Sequence, residues 1–283
     1  MQGHELLAGL PEGDLAVCGP LARSPADLRL AVSIMAGPVQ RQAKGWQLSL
    51  RPAGKQLLSD YKVVIWATDS AAPVAEEVSA RALEVGAQLK VSGATVSYTA
   101  RPKFDVVAAH ENYQTLQNAA MTSGMGLEEV ARMQRRADSL EIDDRSREAP
   151  ITRAAVLSHR DWIRANGSRE EIRAAWDEFF DEWDIVICPQ MATTAFVHDH
   201  QPFRQRTLRV DQVQRPYFEQ LFWAGLAINA YLPSTVSPTG LSADGLPIGL
   251  QAMGGPYCDF ETIEFTQLLG ERVGGFQAPL YFN

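Results

Sequence analysis

The sequence predicts an α/β protein, a mixed sheet flanked by helices, with a mainly helical middle segment. Three features carry that expectation. Two unbroken apolar runs, Lys62 to Ala67 (KVVIWA) and Asp184 to Cys188 (DIVIC), are rich in β-branched residues, as strands buried on both faces are. Residues 74–90 place Val74, Val78, Ala82, Val85 and Leu89 three or four apart, which is helical spacing. Ala243-Asp244-Gly245 lies between two further apolar runs, Thr235–Gly240 and Pro247–Met253, and Asp-Gly is a strong hairpin signal.

The elements follow in chain order. Beyond a Gly- and Pro-rich opening and the short apolar run Leu15–Cys18, Ser24 precedes Pro25 as helix cap, with Asp27 in the place of a capping-box acid. That helix should present Leu28, Ala31, Val32, Ile34 and Met35 on its apolar side and stop at Gly37-Pro38. The 62–67 strand, the 74–90 helix and a strand over Ala94–Tyr98 make a right-handed βαβ unit. Residues 105–182 have helical period almost throughout, with interruptions expected near Gly124, Pro150 and Gly167. A helix is expected across 211–225 and a closing one across 260–272. The loop from Pro38 to Leu58 is the expected mobile segment.

Composition narrows the function. The chain has 283 residues, 46% hydrophobic and 21% charged, near globular averages, so disorder and coiled coil are excluded. Twenty-six basic residues against thirty-four acidic give a net charge of −8, which speaks against nucleic-acid or anionic-lipid partners, since both need a basic face. No apolar run approaches the ~20 residues of a membrane span. The N-terminus lacks the pattern of a signal peptide. Three cysteines, Cys18, Cys188 and Cys258, match no metal or redox spacing, and a cytoplasmic setting is expected.

No complete catalytic constellation is visible. There is no G-x-S-x-G elbow, phosphate loop or G-x-G-x-x-G. Cys188 ends a strand and could be a nucleophile, but a thiol there also reads as a small buried hydrophobe. His198 and His200 could share a metal ion from one strand face, yet no third ligand stands out, and a polar loop with two solvent-facing imidazoles is the favoured reading. His159 is expected on a helix as a packed histidine. Glu76-Glu77, Glu170-Glu171 and Asp143-Asp144 read as solvated carboxylates, and the aromatic stretch Tyr217–Trp223 reads as core.

Three stretches together resemble the amidase signature family of Ser-Ser-Lys amide hydrolases. Gly19-Pro20-Leu21-Ala22-Arg23-Ser24, followed by Asp27-Leu28, is similar to the family's "GP-L/M-AR-S…DL" segment. Trp176–Phe180 leading into Asp184–Pro189, with Thr193-Thr194-Ala195-Phe196 beyond, resembles its helix and "D-x-x-x-x-P" strand. Leu232–Thr235 through Gly245-Leu246-Pro247-Ile248-Gly249-Leu250-Gln251 is similar to its "G-L-P-x-G-x-Q" hairpin. Physically, Gly245 and Gly249 would permit conformations or close approaches that a Cβ obstructs, and Gln251 could offer its amide to a buried backbone group.

The resemblance implies the C-terminal part of the amidase signature fold, with the whole chain, 1–283, a partial amidase domain. It implies hydrolysis of a carboxamide C–N bond through an acyl-serine intermediate in the complete enzyme, without cofactor or metal. The family's lysine and two serines lie in a Gly/Ser-rich front half that ends shortly before a segment resembling Gly3-His4. No such run occurs here, and none of Lys44, Lys55, Lys62, Lys90 and Lys103 corresponds to the catalytic lysine. No catalytic residue carries over, and the chain alone is expected to be inactive. Met191, Thr193, Thr194 and Phe196, on the loop beyond a strand end, are the expected substrate-side residues, with helices of 105–165 as further walls. The expected partners are a small-molecule amide and either a second copy or a complementing N-terminal half. The alternative is a non-catalytic subunit or binding module that docks with a triad-bearing chain.

Overall fold

The computed structural model describes residues 13–38, 41–144, 146 and 148–279; the Gly3-His4 segment lies outside them. Five strands make one mixed sheet: β1 (Lys62–Ile65), β2 (Thr95–Ser97), β3 (Ile185–Pro189), β6 (Ser234–Leu241) and β7 (Pro247–Gly254), in the order β2-β1-β3-β7-β6. β1 is parallel to β2 and β3, and β7 is antiparallel to β3 and β6. The apolar runs of β1 and β3 occupy the centre. Val63 to Ala67 and Ile185 to Pro189 are all buried, as their lack of alternation predicts.

Each sheet face has its own core. On one, Val63, Ile65, Ile185 and Ile187 meet α2 (Glu76–Val91) and α8 (Asp259–Val273) through Val85, Leu89, Phe265 and Leu269. On the other, Val64, Trp66, Val186 and Cys188 meet α6 (His159–Glu182) and α7 (Leu221–Asn229) through Trp176, Phe179, Trp223 and Leu226. The middle segment is helical as expected: α3 (Val106–Thr122), α4 (Leu127–Asp138), α5 (Glu148–Ala155) and α6. A third, small cluster of Leu15, Tyr113 and Leu116 joins these helices to the start of the described chain. There the buried Arg169 reaches both oxygens of Asp14, at 2.9 and 3.0 Å, and the Tyr231 hydroxyl donates to Asp14 at 2.5 Å.

The structure corrects several expectations. Gly167 does not interrupt α6, because an exposed helical glycine costs only about 1 kcal/mol and Trp176 and Phe179 bind the helix to the sheet. The break expected near Pro150 does fall there, between α4 and α5, with Pro150 itself inside the first turn of α5, where its missing N–H leaves no intrahelical bond unmade. No helix begins at 211. Instead β4 (Thr207–Val210) and β5 (Val213–Pro216) form a hairpin about Asp211-Gln212, with Asp211 at φ 51°, and α7 follows a 3₁₀ turn over Tyr217–Gln220. Ser24 caps α1 (Pro25–Met35), its hydroxyl oxygen accepting from the Asp27 N–H at 3.1 Å. Of that helix's apolar residues Val32 alone is buried, and Ile34 faces outward. Between α1 and β1 the described residues hold two short 3₁₀ turns, at Gln42–Lys44 and at Leu58–Asp60. Gly245 takes φ 77° at the β6–β7 turn as expected, whereas a Cβ at Gly249 would meet Val236 at 3.4 Å and the Ser237 carbonyl at 3.8 Å, both ordinary contacts.

Candidate functional site

In an α/β sheet the carboxyl ends of parallel strands leave a crevice where helices and loops diverge. Here β1 and β3 end side by side, and the chain beyond β3 crosses the start of α2. The Ala75 N–H donates to the Ala192 carbonyl at 2.8 Å, and the Thr194 hydroxyl donates to Glu77 Oε1 at 3.2 Å. A groove of about 550 Å³ opens between the two segments, lined by Glu76, Glu77, Thr193, Thr194 and Phe196 and closed on one side by Arg209 and Asp211 of the β4–β5 hairpin. The Asp211 carboxylate accepts the Glu76 N–H at 3.1 Å and so caps α2 from across the groove, a favourable place for a negative charge.

The groove unites three of the four expected substrate-side residues, Thr193, Thr194 and Phe196. Met191 lies half-buried before Ala192 and does not line it. Glu77, expected as a solvated carboxylate, is instead half-buried on the wall. Sequence reasoning missed Glu77, Arg209 and Asp211. The hairpin that brings the last two here alternates exposed Thr207 and Arg209 with buried Leu208 and Val210, a period-2 signal available in the sequence.

The end of β3 is fixed by Gln251. Its Nε2 donates to the carbonyls of Pro189, at 3.0 Å, and Trp223, at 2.8 Å, while its Oε1 accepts from the Ser234 hydroxyl at 3.0 Å. One side chain thus ties the end of β3 to α7 and β6, the role expected for its amide. Trp66, at the end of β1, donates to Asp69 at 3.1 Å and carries the Arg101 guanidinium over its ring at 4.6 Å.

The other candidates separate clearly. Cys188 is fully buried, its sulfur 3.8 Å from that of Met253, and burial pushes its thiol up to about 12, far from the depressed range of a nucleophilic cysteine. His198 and His200 lie outside any strand with ring centroids 6.2 Å apart. Among the described residues no group of three or more His, Cys, Asp or Glu could hold a metal. His159, expected to be packed, is exposed in the first turn of α6 and stacks on Trp162 at 6.4 Å. Among the described residues no helix is long and apolar enough to cross a membrane.

The chain is an α/β protein with a groove beside the carboxyl ends of two parallel strands. A family model described as Amidase matches residues 11–263, and the chain belongs to that family. It is 28% identical to the indoleacetamide hydrolase of Bradyrhizobium diazoefficiens over 262 residues, which cover 90% of this chain and 46% of that protein. Among solved structures it resembles a bacterial aryl acylamidase of the amidase signature family, with TM-score 0.65 and 17% identity over 90% of this chain and 52% of that one. It also resembles a fatty acid amide hydrolase, with TM-score 0.63 and 16% identity over 90% of this chain and 48% of that one. The fold is that of the amidase signature enzymes, and the chain spans about half the length of the relatives it matches.

Proposed function

We propose that these residues are the C-terminal part of an amidase domain that, when complete, hydrolyses the C–N bond of a small carboxamide by acyl transfer to serine. The groove beside Thr193, Thr194 and Phe196 is the part of the substrate pocket this chain contributes. In the reaction a serine oxygen attacks the carbonyl carbon and a lysine takes its proton through a second serine. The C–N bond breaks as the nitrogen leaves protonated, and water then cleaves the acyl ester to release the acid.

One observation carries the claim that the base comes from outside these residues. A lysine that accepts a proton must be neutral, and burial is what lowers its pKa. None of the five lysines is buried. Lys55 pairs with Asp184 and Lys103 with Glu178, and Lys90 lies over the Tyr98 ring. Removing a single member of such a unit can already cost ~10⁶ in rate. The purified chain is therefore expected to release no ammonia from simple primary amides above the uncatalysed rate. Turnover abolished by a serine-directed phosphonate would overturn this.

The sheet edge favours a second reading, in which this chain docks as a subunit onto a separate chain that carries the triad. β6 is an eight-residue edge strand with Val236 and Leu241 about half exposed. Long edges with apolar side chains are templates for another strand. Restoration of amide turnover by a separately produced, signature-bearing front half of a relative would support it.

A further inference from the structure

The parallel strands β1 and β2 end beside one another, and the turn that leaves β2 is held by its own polar groups. Ser97 Oγ accepts the N–H groups of Thr99 and Ala100 at 3.2 and 3.0 Å. Arg101 Nη1 turns back onto the carbonyls of Tyr98, at 3.4 Å, and Ala100, at 2.7 Å. The guanidinium then lies 4.6 Å from the centre of the buried Trp66 ring. Contacts from both strand ends thus fix the plane of this one side chain.

The hydrogen bonds among them use Nη1 alone. Nε and Nη2 form the side-on fork that meets a carboxylate in two parallel hydrogen bonds, and neither donates to any of the described residues. Arg101 is half-buried, and burial lowers its pKa from the ordinary value. A charge drawn out of water is stabilised by a counter-charge, and Arg29, Arg169 and Arg215 each meet a carboxylate. Arg101 makes no ion pair among the described residues. Asp69, whose charge acts on it, is engaged elsewhere: Oδ2 accepts Trp66 Nε1 and Oδ1 accepts the Ala71 N–H at 2.9 Å. Of the charged residues that follow, Lys103 pairs with Glu178, and the Asp105 carboxylate caps α3.

From this stacked guanidinium with its fork open we infer a carboxylate-binding site, in which Arg101 Nε and Nη2 take the two oxygens of a small organic acid at the carboxyl ends of β1 and β2. Strand ends of this kind are where α/β sheets hold ligands. The nearby charge of Asp69 favours a monoanion over a dianion such as hydrogen phosphate. The site is independent of the reaction proposed above. That reaction names only the two molecules that would bring the group, the acid it releases and an amide with an acid at its far end.

The test is an NMR titration of the nitrogen-15-labelled full chain with sodium propionate, against sodium chloride at equal ionic strength. The readout is the Arg101 Nε–H, identified as the side-chain resonance missing from Arg101→Lys. Propionate should shift it saturably, while chloride and propionamide should not, and phosphate should bind more weakly. Arg101→Lys keeps the charge and loses the fork, so propionate, followed there through the Trp66 indole N–H, should bind roughly tenfold or more weakly, the worth of one charge-assisted hydrogen bond. Succinamate, which carries both groups, separates the two sources: tighter binding than propionate marks an acid-bearing amide, and equal binding marks the released acid. No saturable shift beyond that of chloride, an equal response to propionamide, tighter binding of phosphate, or unchanged affinity in Arg101→Lys would each overturn the inference. The wild-type titration decides it even if the variant does not fold. The two proposals fail separately, since absent carboxylate binding leaves the proposed hydrolysis standing, and failed complementation by a front half leaves this site standing.

Discussion

Gln251 makes three hydrogen bonds in a buried position, and the chemistry of its partners determines what can replace it. Two are carbonyl oxygens, of Pro189 and Trp223, and one is the Ser234 hydroxyl. Gln251→Leu keeps the volume and removes the donor, so it should lower stability by about 1–3 kcal/mol. Gln251→Glu keeps the acceptor that Ser234 needs but faces two carbonyl oxygens with a carboxylate, and it should be the more destabilising of the two at neutral pH. Urea unfolding of the two variants checks both size and order. A glutamate variant as stable as the wild type would mean that Gln251 is not the tie described. At this scale the sequence was informative where chemistry leaves one reading: an amide near a strand end, or a serine before a proline-led helix. It was silent where the partner comes from far along the chain. Nothing near Glu77 announces Thr194, 117 positions away, and Asp211 reaches the Glu76 N–H across 135.

The packing of α3 on α7 places a titratable group in an apolar contact. His110 lies between the rings of Tyr113, at 6.2 Å, and Phe222, at 5.3 Å, beside a void of only about 10 Å³. Its Nδ1 has no hydrogen-bond partner among the described residues. Burial therefore lowers its pKa to about 4, against an ordinary value near 6.5. Between those values the unfolded chain binds a proton that the folded chain refuses, so stability falls as pH drops through that window. The loss should reach about 2 kcal/mol by pH 5. Tyr113, pushed up to about 12 by burial, stays neutral throughout and adds nothing. His110→Phe should flatten this part of the pH dependence. Comparing the unfolding midpoints of wild type and variant from pH 7 to pH 5 isolates it from the carboxylates both share, and parallel curves would refute it. Elements with one dominant period were legible before the structure: β1, α2, β3 and the β6–β7 hairpin fall close to where pattern places them. The β4–β5 hairpin was not, because its strands are four residues each and Val210, Val213 and Tyr217 fall three and four apart, which is helical spacing.

For the molecule as a whole the decisive feature is how unevenly the two sheet edges end. β2 is three residues long, too short to recruit a neighbour. β6 has eight residues, and α8 covers it on one side, where Thr235 meets Thr262 at 2.9 Å. Its other side exposes Val236, and its far end exposes Leu241. Pro238 and the register shift between Pro238 and Gly240 blunt the middle of the edge, a common protection against unwanted pairing. They leave the stretch around Val236 open, and Leu30 and Ile34 add exposed apolar surface on α1, which packs on the same α8. A chain with such an edge should not remain a monomer. It should associate with itself in a concentration-dependent way. Val236→Lys combined with Leu241→Lys should restore a monomer with unchanged helix content, since both side chains already face solvent and a charged edge resists pairing. Light scattering on the eluting species reads the outcome directly. A wild-type chain that stays monomeric at all accessible concentrations would remove the argument from the edge, and with it the reading as a docked subunit. The expected lack of turnover would be untouched, because it depends on the surface placement of the lysines and not on the edge of the sheet.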